Sequence, residues 1–282
     1  MNTIEWNVLV PTILGGGLSA LASWYLSNKR MPALHRIAVI GYPQTGKTTL
    51  ITAVFAYLFR HGIRGASIVP RGEETIARVN SNMESLELGR PIGATRDQDV
   101  FAYRAEVKFQ SFPFGRRYKL EIGDFPGENS VEFTEQYGEW LHRTKYFEWA
   151  ISADAFVFVI DVGKVFDLDG QEYVARQKSA LRAAWQRIQE FHLDGSSNIR
   201  RKPLILAFTK ADLGLSHSAL GISESEIQKL TANLEERFSD LIAYLRRETN
   251  RFETIATSAL LSTRGDRIGI QKLATRLLPR SF

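Results

Sequence analysis

Residues 36–60 read Arg36-Ile37-Ala38-Val39-Ile40, then Gly41-Tyr42-Pro43-Gln44-Thr45-Gly46-Lys47-Thr48, then Thr49-Leu50-Ile51-Thr52-Ala53-Val54-Phe55-Ala56-Tyr57-Leu58-Phe59-Arg60. A short β-branched run, a turn bounded by glycines and a long apolar stretch free of Gly and Pro predict strand, loop and helix. The middle eight residues fit G-x-x-x-x-G-K-[ST], a pattern that chance supplies in a chain of this length roughly once in a hundred sequences. The glycines let the loop turn tightly, so that backbone N–H groups converge on phosphate oxygens. The following helix offers the same anion its positive N-terminus. Lys47 is placed to reach the β- and γ-phosphates, and the Thr48 hydroxyl to ligate Mg²⁺. Gly41, Tyr42, Pro43, Gln44, Thr45, Gly46, Lys47, Thr48 and Thr49 are therefore the expected phosphate-binding residues.

Outward from this unit the chain alternates strand-like and helical stretches. Strands are expected at Val100–Phe109, Tyr118–Ile122, Phe156–Ile160, Leu204–Phe208 and Thr254–Ala256. Helices are expected at Glu73–Leu88, Glu172–Phe191, Ser223–Thr249 and Ile270–Leu278, with Ser223 and Glu226 forming a capping-box pattern. Phe156-Val157-Phe158-Val159-Ile160 is apolar throughout, the mark of a strand covered on both faces. The alternation predicts an α/β fold, a mainly parallel sheet with helices on both sides. Composition agrees: 282 residues, 44% hydrophobic and 24% charged, which excludes a disordered, collagen-like or coiled-coil chain. With no cysteine, disulfides and Cys-ligated metals are excluded too. The 36 basic against 31 acidic side chains leave a small, scattered surplus, and no nucleic-acid partner is expected.

A phosphate loop does not choose a base. Three later motifs do, each after an expected strand. In Asp124-Phe125-Pro126-Gly127, Asp124 is placed to support Mg²⁺ through water, and the Gly127 N–H to bond the γ-phosphate. In Thr209-Lys210-Ala211-Asp212, the carboxylate of Asp212 suits guanine N1–H and the 2-amino group. Adenine lacks that donor pair and would leave the carboxylate unpaired. The Lys210 stem can lie along the base. In Thr257-Ser258-Ala259, backbone N–H groups at Ser258 and Ala259 suit guanine O6.

Through these motifs (GYPQTGKT, DFPG, TKAD and TSA, spanning Arg36 to about Leu278) the chain resembles the Ras-like, TRAFAC-class small GTPases. The resemblance implies a P-loop NTPase fold with a six-stranded sheet, GTP and GDP binding with Mg²⁺, and switch loops that order around the γ-phosphate. It also implies a Mg²⁺-ligating Thr before the second strand. Thr95 has the expected spacing, and Thr75, inside the expected extra helix, is the alternative. Glu128 stands where such proteins often carry a water-orienting Gln. A carboxylate there implies slow intrinsic hydrolysis, or else a solvated loop acid. The catalytic set is thus Lys47, Thr95, Gly127 and Glu128. Thr48, Thr95 and Asp124 form the metal set. Arg90 and Arg96 flank Thr95 as either arginine fingers or solvated cations. The stretch 62–99 is longer than a minimal first switch.

Residues 6–26, WNVLVPTILGGGLSALASWYL, contain no charge. As a helix they would span about 31 Å, matching a bilayer core of about 30 Å. Trp6 and Trp24-Tyr25 stand where an aromatic belt belongs, and Lys29-Arg30 place the rest of the chain in the cytoplasm. A cleaved leader would need positive charge in MNTIE, and a buried core helix would more often be polar on one face. The expectation is one N-terminal transmembrane helix within residues 1–30, followed by a GTPase domain over 31–282. This layout is similar to that of the β-subunit of the signal-recognition-particle receptor and to divergent bacterial GTPases of conflict and signalling systems.

Phe133, Tyr137 and Trp140 recur at helical spacing after DFPG. They fit either packing on the sheet or an aromatic surface for a protein effector or regulator at the switch regions. Arg116-Arg117, Arg200-Arg201-Lys202 and Arg246-Arg247 read as solvated faces, with anionic lipid as the alternative beside an anchor.

Overall fold

The computed structural model describes residues 33–62, 66–90, 92, 101–109, 116–124, 149–193, 199–215, 223–259 and 267–278. The strands among them are β1 (Ala33–Ile40), β2 (Ala66–Pro70), β3 (Phe101–Phe109), β4 (Arg116–Asp124), β5 (Ala155–Asp161), β6 (Leu204–Thr209) and β7 (Phe252–Ala256). The helices are α1 (Lys47–His61), α2 (Glu73–Glu87), α3 (Val162–Val165), α4 (Gly170–Leu193), α5 (Glu224–Arg237), α6 (Ser239–Glu248) and α7 (Ile270–Leu277). The strands form one sheet in the order β2-β3-β4-β1-β5-β6-β7. β4, β1, β5, β6 and β7 are mutually parallel, and β3 runs against both its neighbours.

The alternation of the central strands explains the layers. On one face Ile37, Val39, Val157, Val159, Ile205 and Ala207 join Leu50, Ile51, Val54 and Phe55 of α1 and Leu273 of α7 in one apolar cluster. On the other, Ala38, Ile40, Phe156, Phe158, Leu206 and Phe208 join Leu181, Trp185 and Ile188 of α4 and Leu234 of α5. Every residue of β5 is buried, which is why it reads as an unbroken apolar run. The two β5 rings, Phe156 and Phe158, fall on the α4 side, where Trp185 meets Phe156 edge-on at 5.6 Å. Side chains of this size contribute about 3–5 kcal/mol each on burial, as judged from truncation to Ala.

Two expectations are corrected. The sheet has seven strands, not six: β2 adds an edge strand, paired antiparallel with β3 from Ala66↔Phe109 to Pro70↔Ala105. Its five residues are too short to show a period, and Pro70 reads as a break. An edge strand needs partners on one side only, so a terminal proline is tolerated there. The helix expected over Ser223–Thr249 is two helices that meet at Phe238, which is fully buried with its ring 5.7 Å from Phe208 of β6. No Gly or Pro marks that bend, and packing of the ring against the sheet accounts for it. The capping box is present, with Ser223 Oγ accepting from Glu226 N and Glu226 Oε2 accepting from Ser223 N.

Helix α2, expected at Glu73–Leu88, packs on α1. Arg60 pairs with Glu87, and Asn82 Nδ2 donates to Tyr103 Oη at 3.0 Å and to Thr52 Oγ1 at 3.4 Å. Burial, with the nearby Asp124 charge second, pushes the Tyr103 phenol up to about 12, so it stays neutral as a fixed bridge between α2 and β3. Among the described residues no helix is long and apolar enough to cross a membrane. The anchor expected at residues 6–26 lies outside the described residues.

Candidate functional site

The parallel strands all end on the same edge of the sheet, the usual place for a ligand in such folds. β1 runs into the loop Gly41–Gly46 and then α1. Gly41 has no room for a side chain: a Cβ would lie 2.9 Å from the Val159 carbonyl oxygen of β5. Gly46, with φ +83°, is the left-handed residue immediately before α1. Gln44 also takes a positive φ, 63°, at a cost of roughly 1–2 kcal/mol for a residue with a Cβ. Such strain persists where the surroundings hold it, and here Lys210 Nζ donates to the Gln44 carbonyl at 3.0 Å.

Lys47 is buried and folded back over its own loop, Nζ donating to the carbonyls of Gly41 (2.7 Å) and Tyr42 (2.9 Å). Thr45 is fully buried and bonds Tyr42 O. Thr48 Oγ1 donates to Asp124 Oδ1 at 3.1 Å, and Asp124 is fully buried at the end of β4. A hydroxyl and a carboxylate that far apart in sequence, in contact below a phosphate-type loop, suit a hard divalent cation with oxygen ligands. The donor set therefore fits Mg²⁺. Thr49 follows in the first turn of α1, half-buried.

The base-selecting motifs meet the loop from β6 and β7. Thr209 Oγ1 donates to Thr45 O at 2.7 Å and Ile160 O at 3.1 Å, tying the end of β6 to the phosphate loop and to β5. The Lys210 stem passes the phosphate loop, its Cε 3.8 Å from where a Gly46 Cβ would stand. Lys210 is itself left-handed, φ 55°. Ser258 Oγ donates to Asp212 Oδ1 at 2.5 Å. The two loops are pinned together by Ala211 N to Thr257 O (3.0 Å) and Thr257 N to Phe208 O (2.7 Å). Ala259, half-buried, packs against the α1-side core. The structure thus brings together Gly41 to Thr49, Asp124, Thr209, Lys210, Asp212, Ser258 and Ala259. Of the two backbone donors expected for the base, the Ser258 N–H is taken within the fold, donating to Ile268 O at 3.0 Å.

Thr95, Gly127 and Glu128 lie outside the described residues, as do Arg96, Phe133, Tyr137 and Trp140. Thr75, the alternative to Thr95, is buried in α2 and accepts from Arg104 N of β3 at 3.4 Å. Its hydroxyl is thus engaged with the sheet and not with the phosphate loop. Arg90 is exposed just past α2.

One site residue is not evident from the motifs. Asp161 ends β5, is 2% exposed, and takes Lys210 Nζ at 2.6 Å. Its other oxygen caps α3 by accepting from Gly163 N at 2.9 Å and Lys164 N at 3.4 Å. Its own N–H donates to Tyr173 Oη at 3.1 Å. Burial, followed by the Asp161 and Tyr42 charges, raises that phenol well above its usual range, so Tyr173 accepts as a neutral group. The only hint in sequence is a lone acid closing an apolar strand.

Residues 35–278 match the family model described as double-GTPase 2. No curated protein matches the chain significantly. Among solved structures it is similar to Methanosarcina barkeri Roco2 RocCORdC bound to GDP, with 13% identity and a TM-score of 0.36 over 88% of this chain and 49% of that one. It is similar to LeoA, a bacterial dynamin GTPase from ETEC, with 14% identity and a TM-score of 0.44 over 86% and 35%. It is similar as well to the signal recognition particle receptor SRb-GTP/SRX complex of Chaetomium thermophilum, with 14% identity and a TM-score of 0.43 over 87% and 97%. The chain therefore spans about half of the Roco2 structure and about a third of LeoA. With the family model covering nearly all of the described residues and the guanine-type loops meeting on one edge of the sheet, the chain is a divergent P-loop GTPase and belongs to the double-GTPase 2 family.

Proposed function

We propose that this protein is a membrane-anchored switch that binds GTP with Mg²⁺ and hydrolyses it slowly to GDP and phosphate, its GTPase domain facing the cytoplasm. The observation that carries the nucleotide part is the double contact at one edge of the sheet. Thr48 meets Asp124 at the phosphate end, Ser258 meets Asp212 at the base end, and Thr209 and Lys210 clasp the loop between them. Bound Mg²⁺ would supply charge neutralisation at the β- and γ-phosphate oxygens. The chain's own part is positioning. Lys47 would exchange its two carbonyl acceptors for phosphate oxygens. Thr48 and Thr95 would hold the metal, with Asp124 behind them through water. Gly127 would read the γ-phosphate by its N–H. Lys210 would cover the base, Asp212 would accept from its edge, and the Ala259 N–H would donate to O6, with Ser258 holding Asp212 through its hydroxyl.

Slow turnover rests on Glu128, whose carboxylate would stand near the γ-phosphate's own charge instead of orienting water. The same residue favours a second reading, a GTP-bound interaction subunit that does not turn over. In both readings the switch regions, with Phe133, Tyr137 and Trp140, would present the surface for an effector or regulator. The anchor rests on residues 6–26 and the cytoplasmic side on Lys29-Arg30.

The experiment is a titration of the full chain in detergent with fluorescent GDP, GTP and ATP plus Mg²⁺, beside Asp212→Asn, with phosphate release followed in the same samples. Guanine selectivity is expected, with a loss of about 10²–10⁴-fold in Asp212→Asn, since two hydrogen bonds to a charged group are worth about 1.5–3 kcal/mol each. Equal affinity for ATP and GTP refutes the base assignment. Multiple-turnover release supports the switch, and binding without release supports the subunit.

A further inference from the structure

The three basic pairs that lie far apart in sequence converge on one end of the molecule. Ala33, the first residue of β1, is level with Tyr118 of β4, which places Arg117 and Lys119 beside the chain's entry into the sheet. Arg200, Arg201 and Lys202 precede β6, and Arg246, Arg247 and Arg251 precede β7, so they stand at the same strand-start end. Hydrogen bonds join these segments: Asn250 N to Arg200 O at 2.9 Å, Leu204 N to Arg251 O at 3.1 Å, and Lys202 Nζ to Ala153 O at 2.7 Å. Arg117, Lys119, Arg200, Arg201, Arg246 and Arg247 are exposed. Carboxylates interleaved here are already engaged. Asp154 accepts from Arg36 N, Glu121 pairs with Arg36 and Arg104, and Glu248 accepts from Gln189 and Arg247.

On the anchor reading, this end is also the tethered one. Seven residue steps separate Leu26, the last residue of the uncharged run, from Ala33. Fully extended they reach about 25 Å, and they add Lys29 and Arg30. The phosphate loop lies at the opposite end of the eight-residue β1, about 26 Å away at roughly 3.3 Å per residue. That is about three Debye lengths at physiological salt, so charge at one end is screened from the other.

We infer that the strand-start end of the sheet, with Arg117, Lys119, Arg200, Arg201 and Arg247 at its surface, is a docking face for an anionic lipid surface. It would hold the domain upright with the nucleotide loops facing away from the bilayer. The inference rests on the anchor reading for its geometry and on the convergence of charge for its chemistry. Basic residues close to such a surface each strengthen attachment about fivefold.

The test uses the full chain, whose lack of cysteine allows a single label at a chosen site. Asn250→Cys marks the docking face. Leu168→Cys, in a fully exposed loop beyond β5, marks the nucleotide end. Flotation with neutral phosphatidylcholine vesicles judges the anchor alone. In reconstituted vesicles, adding phosphatidylserine is expected to raise energy transfer from the Asn250→Cys label to a headgroup acceptor and to leave Leu168→Cys unchanged. High salt, or Arg200→Gln with Arg201→Gln and Arg247→Gln, is expected to abolish the rise while nucleotide binding persists. Equal transfer in both vesicles, or a rise at Leu168→Cys instead, overturns the inference and leaves the anchor standing. If neutral vesicles do not float the protein, the anchor reading fails. The face must then bring the full chain onto phosphatidylserine vesicles by itself, with about a hundredfold loss in the triple variant, and failure to float there overturns it.

Discussion

Asp161→Asn isolates the contact that ties the base-selecting loop to the phosphate loop. The two oxygens of Asp161 do different work: Oδ1 caps α3, and Oδ2 takes Lys210. Asn serves as well as Asp at a helix N-cap, so the cap is kept while the ion pair becomes an amide N–H facing an ammonium. A hydrogen bond to a charged group is worth about 1.5–3 kcal/mol. Asp161 is 2% exposed, but the Lys210 side chain is 38% exposed, and water recovers part of the loss. The expected destabilisation is about 1–2 kcal/mol, or roughly 2–8 °C in Tm for a domain of this size. Lys210 keeps its bond to the Gln44 carbonyl but loses the partner that aims its stem, so affinity for GDP is expected to fall severalfold. Asp161→Ala removes the cap as well and should cost about 1 kcal/mol more. The assay is paired: thermal unfolding without nucleotide, and GDP titration by fluorescence. An Asp161→Asn protein as stable and as tight-binding as the parent would refute the clasp. So would Asn and Ala variants with equal losses in both measurements.

Three further outcomes are expected. Thr48→Ala should leave Asp124 buried without its hydroxyl donor, lowering stability by about 1–3 kcal/mol and weakening the Mg²⁺ dependence of GTP binding. Unchanged Mg²⁺ titration curves would remove Thr48 from the metal set. Gly41→Ala forces a methyl to 2.9 Å from the Val159 carbonyl and should cost about 1–3 kcal/mol together with nucleotide binding, checked by denaturant unfolding and GDP titration. His35 Nε2–H donates to Leu277 O at 2.9 Å, and burial, its largest influence, lowers its pKa below 6.5. The folded state therefore binds fewer protons than the unfolded chain in this range. Stability should be full above about pH 6.5 and fall as pH drops through that value toward the lowered folded-state pKa. Denaturant midpoints for the parent and His35→Asn at pH 7.5 and 5.5 check this, the variant showing the shallower fall.

How legible the site was depends on how its parts are held. Gly41 to Thr48 act as one contiguous loop whose backbone geometry is written in its own glycines, and the strand before it and helix after it are local in periodicity. Asp124, Thr209 to Asp212 and Ser258-Ala259 each close or follow an expected strand, so parallel alternation alone predicts that they end on a common edge. Sequence could thus assemble the candidate site without contacts. Thr95 had the expected spacing in the sequence, and Thr75, inside the expected extra helix, stood as its alternative. Only the bond from Arg104 N to the Thr75 hydroxyl takes Thr75 out of the loop's reach.

From sequence alone came the α/β class, the phosphate loop, the choice of guanine and the capping box at Ser223, because each depends on residues near one another in the chain. Tertiary structure alone decided the rest. β2 becomes a strand by pairing with β3, since five residues ending in proline have no period of their own. The long helix bends at Phe238 because a ring fits the sheet there. Asp161 becomes part of the site through a lysine 49 residues away. The basic pairs, unremarkable one by one, become a single charged face because parallel strands all begin at the same end. A local pattern sets what a segment can form, whereas pairing, burial and charge convergence are properties of distance in space, which sequence separation does not record.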